Sequence, residues 1–372
     1  MRILHVQRVK GIGGSERHLL SLLPELERRG IHTQMVVLRT GDGDRFVDAM
    51  RAADVDTLAV HGGGHVQPGL VPILVSKIRH FRPDVVHTHL VDADVYGQLA
   101  ARLARVPAVS SVHGTPAFYG REPYRTAGRV AGRLARRRIA ISRHVAAFLV
   151  AGRLAPPSRI RVVPYGIALD EPVDGEDAAR AATRARFGWT DREFVVGIVG
   201  RLIPGKGHDR LVRAVARASA AHPELRLLVV GDGPTRADLE ALIRDEAATE
   251  RVELIGFVDD VRPYVAACDV IAVPTEPTLS EGFGLTALEG MAAAKPVLVT
   301  RVGSLPEVVV DGSTGVVVEP SSTQALADAL VDLADDPARG AALGKAGRAR
   351  AEQEYGLQRM VDETIAVYEE VA

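Results

Sequence analysis

Short β-branched runs alternate with helical periodicities along almost the whole chain, and the alternation occurs twice. The first series runs through Ile3 to Val6, Glu16 to Arg29, Thr33 to Leu38, Arg45 to Ala53, Asp84 to His89 and Val95 to Ala104. It continues with Ala108 to Val112, Arg138 to Ser142, His144 to Val150 and Arg159 to Val163. Strands that alternate with helices must pair in parallel, because each crossover has to return the chain to the same end of the sheet. Residues 166–192 break the rhythm with Pro, Gly and acids and read as a linker leading into a short helix. The rhythm restarts at Phe194 to Val199, with later runs at Leu225 to Val230, Val252 to Ile255, Val270 to Val273, Pro296 to Thr300 and Gly315 to Val318. The expected architecture is therefore α/β: two doubly wound parallel-sheet domains, 1–168 and 169–354, facing each other across a cleft. Ligands of such sheets lie beyond the carboxyl ends of the strands. Residues 321–371 read as helical. The last segment, 355–372, carries Tyr355, Met360, Val361, Ile365, Val367 and Tyr368 on one side and is expected to pack back on the first domain.

A chain of 372 residues can supply two such cores. Its 47% hydrophobic and 25% charged content is that of a soluble globular protein, and no apolar run is long enough to span a bilayer. Met1 to Val6 reads as a first strand rather than a leader, so a cytoplasmic protein is expected. Cys268 is the sole cysteine, which excludes internal disulfides and cysteine-based metal sites. The net charge of −1 conceals an asymmetry: residues 1–170 hold 25 Lys and Arg against 13 Asp and Glu, leaving 21 against 34 for the rest. Attraction between the halves would explain this, and so would an anionic acceptor or a peripheral contact with the inner face of a membrane. Aromatic residues are few and no recognition module is present, which argues against nucleic acid.

The densest chemistry lies in Pro274 to Glu289. The strand ending at Val273 enters a loop closed by Ser280-Glu281-Gly282-Phe283-Gly284, after which Leu285, Leu288 and Met291 recur at helical spacing. Backbone N–H groups and the positive end of the helix dipole converge there, from Phe283 to Thr286, and suit an anion. Glu281 and Glu289 flank that point and suit hydroxyl groups. The matching loop after Val199 is Gly200-Arg201-Leu202-Ile203-Pro204-Gly205-Lys206-Gly207. Arg201 and Lys206 are either solvated charges or the cations a diphosphate requires. Gly256-Phe257-Val258-Asp259-Asp260, after another strand, either offers backbone to a base or is a helix cap made by Asp259.

In the first half, Lys10 to Glu16 superficially suggests a dinucleotide fingerprint. The third glycine is replaced by Glu16, and the second strand closes on Leu38-Arg39-Thr40 without an acid, so a nicotinamide or flavin site is not expected. Gly13 and Gly14 either let backbone approach a phosphate at a helix N-terminus or simply form a tight turn. His113-Gly114 closes a strand and is either structural or turned to the cleft. His87 and His89 alternate on one strand with no evident third ligand and read as strand-end packing, so no metal site is expected. Asp92-Ala93-Asp94 has the look of a metal-binding D-x-D, but at a helix entry, where acids cap. Tyr124 to Arg138 sets Arg125, Arg129, Arg133, Arg136 and Arg137 along one side of a helix that is either solvated or faces anionic lipid or a phosphorylated acceptor.

Taken together, G-G-S-E at Gly13 to Glu16, H-G at His113, G-R-L-x-x-x-K-G at Gly200 to Gly207 and E-G-F-G-L-x-x-L-E at Glu281 to Glu289 resemble the retaining glycosyltransferases of family 4, glycosyl transferases group 1. The resemblance spans essentially the whole chain and implies the GT-B fold of two Rossmann-like domains, acceptor-binding first and donor-binding second. It implies that Arg201 and Lys206 bind the donor diphosphate beside the Leu285 and Thr286 N–H groups, with Gly200 in the same loop. It also implies that Glu281 and the Phe283-Gly284 backbone hold the sugar, Glu289 the ribose and the Gly256 to Val258 loop the base. His113 would contact the sugar near its anomeric carbon, and Gly13 and Gly14 would approach donor phosphate and acceptor. The usual N-G-I-D of the domain junction stands here as Tyr165-Gly166-Ile167-Ala168-Leu169-Asp170. The implied reaction moves a sugar, with retention, from a nucleotide-diphospho-sugar co-substrate, UDP favoured, to a hydroxyl of a phosphosugar, lipid-linked glycan or secondary metabolite. No tightly bound cofactor or metal is implied. Rival readings are a same-fold sugar-nucleotide epimerase, a glycan phosphorylase, or a non-catalytic nucleotide-sugar-binding subunit. The loops expected to choose the acceptor are Gly62 to His65 and Thr115 to Tyr124.

Overall fold

A computed structural model describes residues 1–61, 67–116, 120–169 and 176–372; Gly62 to His65, part of Thr115 to Tyr124 and Asp170 lie outside the described residues. The chain divides into two compact units, Met1–Ile167 with Leu357–Ala372, and Ala168–Gly356. Among the described residues no helix is long and apolar enough to cross a membrane.

The first unit is built on a seven-stranded sheet of β1 (Arg2–Val9), β2 (His32–Arg39), β3 (Asp56–His61), β4 (Val85–His89), β5 (Ala108–Val112), β6 (Arg137–Ala140) and β7 (Ile160–Val162). The order is β3-β2-β1-β4-β5-β6-β7, and every pairing is parallel. The second unit holds β8 (Phe194–Val199), β9 (Leu225–Val230), β10 (Val252–Gly256), β11 (Val270–Val273), β12 (Val297–Thr300) and β13 (Val316–Val318). These lie in the order β10-β9-β8-β11-β12-β13, also all parallel. Central strands such as β4, β5 and β11 are buried at every residue, as helices on both faces require. In each sheet the strand order reverses once, between β1 and β4 and between β8 and β11. The loops leaving the two strands of such a pair diverge to opposite faces and open a crevice at the carboxyl edge.

The doubly wound reading agrees with the structure, and four local expectations change. Strand β3 and the helix Leu70–Phe81 were not anticipated; β3 is an edge strand with only Thr57 buried, so it carries no continuous apolar run. The basic helix is Tyr124–Leu134, which leaves Arg136 beyond it and puts Arg137 on β6, where its guanidinium binds Glu370 at 2.7 Å. Asp259 is not a helix cap: the helix Arg262–Ala267 begins after Val261, and Asp260 accepts the Arg262 N–H.

Asp94 is no cap either. It lies inside the helix Leu90–Ala104, buried against Arg138 of β6 at 2.8 Å, with the hydroxyls of Thr88 and Ser110 donating to its carboxylate. Burial raises the Asp94 carboxyl above its ordinary range, opposed by the Arg138 charge. Arg138 also donates to the Leu154 carbonyl, so one pair ties a helix to three strands and a loop. A second network anchors the helix Glu176–Arg186 on the second sheet: Asp269 receives Arg180, Arg184 and the Val195 N–H at 2.6 to 2.7 Å. Cys268 beside it is free and buried, and burial pushes its thiol up to about 12, as an inert packing thiol would behave.

Buried imidazoles are concentrated in the first unit. His5 of β1 and His87 and His89 of β4 are at most 1% exposed, and His18 is also buried. Desolvation lowers His5 to about 3 and takes His18, His87 and His89 well below their ordinary value.

Two outcomes are expected. Arg138→Met should cost about 3 to 5 kcal/mol in urea unfolding, because it strands Asp94 in the core, and Asp94→Leu combined with Arg138→Met should recover most of that loss. Acid should destabilise the first unit first. The unfolded chain takes protons on these histidines below about pH 6.5 while the folded unit refuses them well below that, at His5 down to about pH 3, so stability falls as pH drops below about 6.5 by about 1.4 kcal/mol per pH unit per histidine. Far-UV circular dichroism should therefore begin to change at higher pH than the fluorescence of Trp189, which is buried in the second unit.

Candidate functional site

In the second unit the chemistry gathers at the β8/β11 reversal. Gly207 ends the loop after β8 with φ of 79° and caps the helix His208–Ala218; a Cβ there would lie 2.0 Å from the Pro274 carbonyl oxygen. The Glu276 N–H donates to the Gly205 carbonyl at 2.8 Å. The loop after β8 and the loop after β11 thus touch backbone to backbone, at a spacing no side chain permits. That contact brings Lys206 Nζ to 2.7 Å from Glu281 Oε2, both partly buried, and Thr275 Oγ1 donates to the same oxygen at 3.2 Å. The Glu281 carbonyl is fixed in turn by the N–H and hydroxyl of Ser304, at 3.1 and 3.2 Å.

The two residues read separately, one as a phosphate cation and one as a sugar-binding carboxylate, are therefore an ion pair. Arg201 is exposed, with no ion-pair partner among the described residues. Gly284, at φ 90°, caps the helix Leu285–Ala292, and Thr286 Oγ1 donates to the Val199 carbonyl at 3.1 Å. The first amides of that helix, Leu285 and Thr286, have no intrahelical acceptor and sit against the end of β8, where Gly200 and Arg201 begin. The Phe283 ring is core, edge-on to Tyr355 at 5.6 Å, which leaves backbone as what residues 283 and 284 offer a ligand. Glu289 stands just over one turn into the helix, partly buried. Gly256 closes β10 at φ 86° and accepts the Gly231 N–H at 2.8 Å; Val258 packs inward while Phe257 is 49% exposed. This edge can hold an anion on two cations and a helix end, flanked by carboxylates for hydroxyl groups.

In the first unit the glycine loop is closed by its own acid. Glu16 Oε2 accepts the Gly13 N–H at 2.9 Å and the Ser15 hydroxyl at 3.0 Å, while Gln7 donates to Oε1 at 2.5 Å. The Gly13 amide expected at a phosphate is thus committed to Glu16, which supplies the N3 half of a capping box at the start of the helix Gly14–Arg28. His113 follows β5 and is half-buried; its Nδ1 faces Tyr165 Oη at 2.5 Å and its Nε2 faces His89 Nδ1 at 3.1 Å. Burial lowers it to about 3, so the ring is neutral at physiological pH. His87 is held by Tyr368 Oη at 2.7 Å and Ser111 Oγ at 2.8 Å.

A third histidine does stand beside His87 and His89: His5, paired in register with His87, puts candidate ligand atoms of all three within 4.8 Å. Five of their six ring nitrogens already face hydrogen-bond partners, and His5 Nε2 is the sixth. Tyr165, His18, His5 and Glu16 were missed as site neighbours. Glu16 and Tyr165 stood in motifs quoted above, but what joins them to His5 and His18 is the order of the strands, which local periodicity does not carry.

Family models match both halves: the model for Glycosyltransferase Family 4 over residues 12–171 and that for Glycosyl transferases group 1 over residues 179–350. A D-inositol 3-phosphate glycosyltransferase of Kineococcus radiotolerans is 32% identical over 96% of this chain and 90% of its own. A GDP-mannose-dependent monoacylated alpha-(1-6)-phosphatidylinositol monomannoside mannosyltransferase of Corynebacterium glutamicum is 35% identical; that match spans about half the length of each chain, 53%. Among solved structures, Anabaena HepE in complex with UDP-glucose superposes over 100% of both chains with a TM-score of 0.86 at 23% identity, a likeness of fold. Matches that take up the two halves in turn, on two parallel-sheet units, make the chain a glycosyltransferase of group 1 with the GT-B fold.

Proposed function

We propose that the chain transfers a hexosyl group, with retention, from a nucleotide-diphospho-sugar to a hydroxyl of a polyol phosphate or of a glycolipid headgroup, with a UDP-sugar as donor. The observation that carries the reading is the Lys206–Glu281 pair beside Arg201 and the Leu285–Thr286 amides at the β8/β11 edge. Departure of a nucleoside diphosphate builds negative charge on its oxygens, and cations with a helix N-terminus stabilise that charge as it develops. On diphosphate binding Lys206 turns from Glu281 to the phosphate, which frees Glu281 for the sugar hydroxyls while Thr275 and Ser304 keep it in place. Glu289 takes the ribose and the Gly256 to Val258 backbone the base. The first unit serves the acceptor, with Gly14 in its approach loop, and His113 keeps the sugar-contacting role implied by the resemblance. The names of the relatives support an inositol-phosphate type of acceptor, and HepE supports UDP. The mannosyltransferase's GDP-mannose is the donor to test against it.

The basic helix favours an acceptor at a membrane surface. Tyr124 and Val130 stay exposed, at 37% and 49%, on a helix that also carries Arg125, Arg129 and Arg133. Apolar tips among arginines suit an anionic lipid interface.

UDP should raise the melting temperature, GDP less so, and a sugar nucleotide more than either. Lys206→Ala and Glu281→Gln should each lower kcat/KM about 10²- to 10³-fold with little change in unfolding midpoint. If no nucleotide shifts melting and Lys206→Ala is silent in a transfer assay across nucleotide sugars, the donor assignment fails. Vesicle co-sedimentation tests the surface: binding to phosphatidylinositol-containing vesicles should fall at high salt and with Val130→Asp, and equal binding to neutral vesicles would refute it.

A further inference from the structure

Tyr165, His113, His89 and His5 form one continuous line of hydrogen bonds. Tyr165 Oη lies 2.5 Å from His113 Nδ1, His113 Nε2 lies 3.1 Å from His89 Nδ1, and His89 Nε2 lies 3.0 Å from His5 Nδ1. The far end, His5 Nε2, is buried with no hydrogen-bond partner. A neutral imidazole carries a single N–H, so where each ring nitrogen faces the next group, the polarity of one bond dictates all the others. If Tyr165 donates, every histidine carries hydrogen on Nε2, and the line ends in a buried His5 Nε2–H with nothing to receive it. If the line runs the other way, every histidine carries hydrogen on Nδ1. The His113 Nδ1–H then donates to the Tyr165 oxygen, and the loose end is a bare lone pair.

The second polarity leaves the less costly defect at His5 Nε2. Orphaned buried N–H donors are the rarer and costlier defect. Burial, and after it the Glu16 charge, keep the Tyr165 hydroxyl protonated, and a protonated hydroxyl can accept from His113 while its own hydrogen turns elsewhere. Around the line stand His18, stacked on Tyr165 at 4.4 Å and 5.7 Å from His113, with Glu16 on the same helix. His87 on β4, Ser111 on β5 and Tyr368 on the C-terminal helix close the other side.

We propose that Tyr165 is the positioning residue for His113: by accepting its Nδ1–H it locks His5, His89 and His113 into the Nδ1–H tautomer and fixes the His113 ring as a neutral group with both nitrogens engaged. His113 then serves as an oriented surface and cannot take the acceptor's proton. Only the kinetic consequence rests on the glycosyl-transfer reading.

Long-range ¹H–¹⁵N spectra of the ligand-free, histidine-labelled protein test the tautomers with no donor present. His5, His89 and His113 should all show the Nδ1–H pattern, unchanged from pH 5.5 to 8. An Nε2–H pattern at any of the three, titration within that range, or capture of Zn²⁺ by His5 and His89 would overturn the proposal. Tyr165→Phe keeps the ring against His18 and removes the acceptor. It should give His113 a mixed tautomer and lower kcat about tenfold, with donor KM within about twofold. An unchanged His113 pattern in that variant would equally overturn it.

Discussion

The donor-side chemistry of this protein depends on how closely two stretches of backbone can pass. The loops after β8 and β11 touch at Gly207 and Pro274, where a Cβ would stand 2.0 Å from a carbonyl oxygen, and Gly205 accepts a hydrogen bond from the far loop. Without that approach Lys206 would not reach Glu281, and the cation and carboxylate would be separate surface charges worth little to each other. The Thr286 hydroxyl bond to the end of β8 does the same for the helix terminus, holding its open amides over the crevice. A sheet reversal opens the crevice, and glycine brings its two walls together.

The first unit solves a different problem, that of placing polar groups in a sheet buried on both faces. Asp94 and Arg138 neutralise each other and are bonded by hydroxyls and carbonyls, with Arg138 Nε left without a partner. The histidines lower their affinity for protons and pair in series. Both arrangements are specific because partial satisfaction is costly: a buried donor without an acceptor loses the water it had and gains nothing. The histidine line reaches His113, so the order of the core extends into a residue that the family resemblance places at the sugar.

Much of this was legible in one dimension. The run from Val270 to Met291 announces a strand, a glycine-bearing turn and a helix, and the structure has β11 and the helix Leu285–Ala292 there. Arg201, Lys206, Glu281 and Glu289 could be picked out because two cations in the loop after one strand share a domain with a glycine-bearing helix start flanked by two carboxylates. Strand β3 escaped because an edge strand shows no continuous apolar run. Asp94 was read as a cap because a local rule fitted it, whereas its true partner lies 44 residues on. Gly13 was read as open backbone although Glu16, three residues later, takes its N–H.

The sequence by itself determined the periodicities, the turns and the inventory of charged groups, since these are set by side-chain spacing and backbone sterics within a few residues. Tertiary structure alone decided the partners: Lys206 with Glu281, Asp94 with Arg138, His113 with Tyr165 and His89. Each of those bonds joins elements brought together by sheet order, and sheet order follows from how buried faces pack, a sum over many residues that no local pattern records.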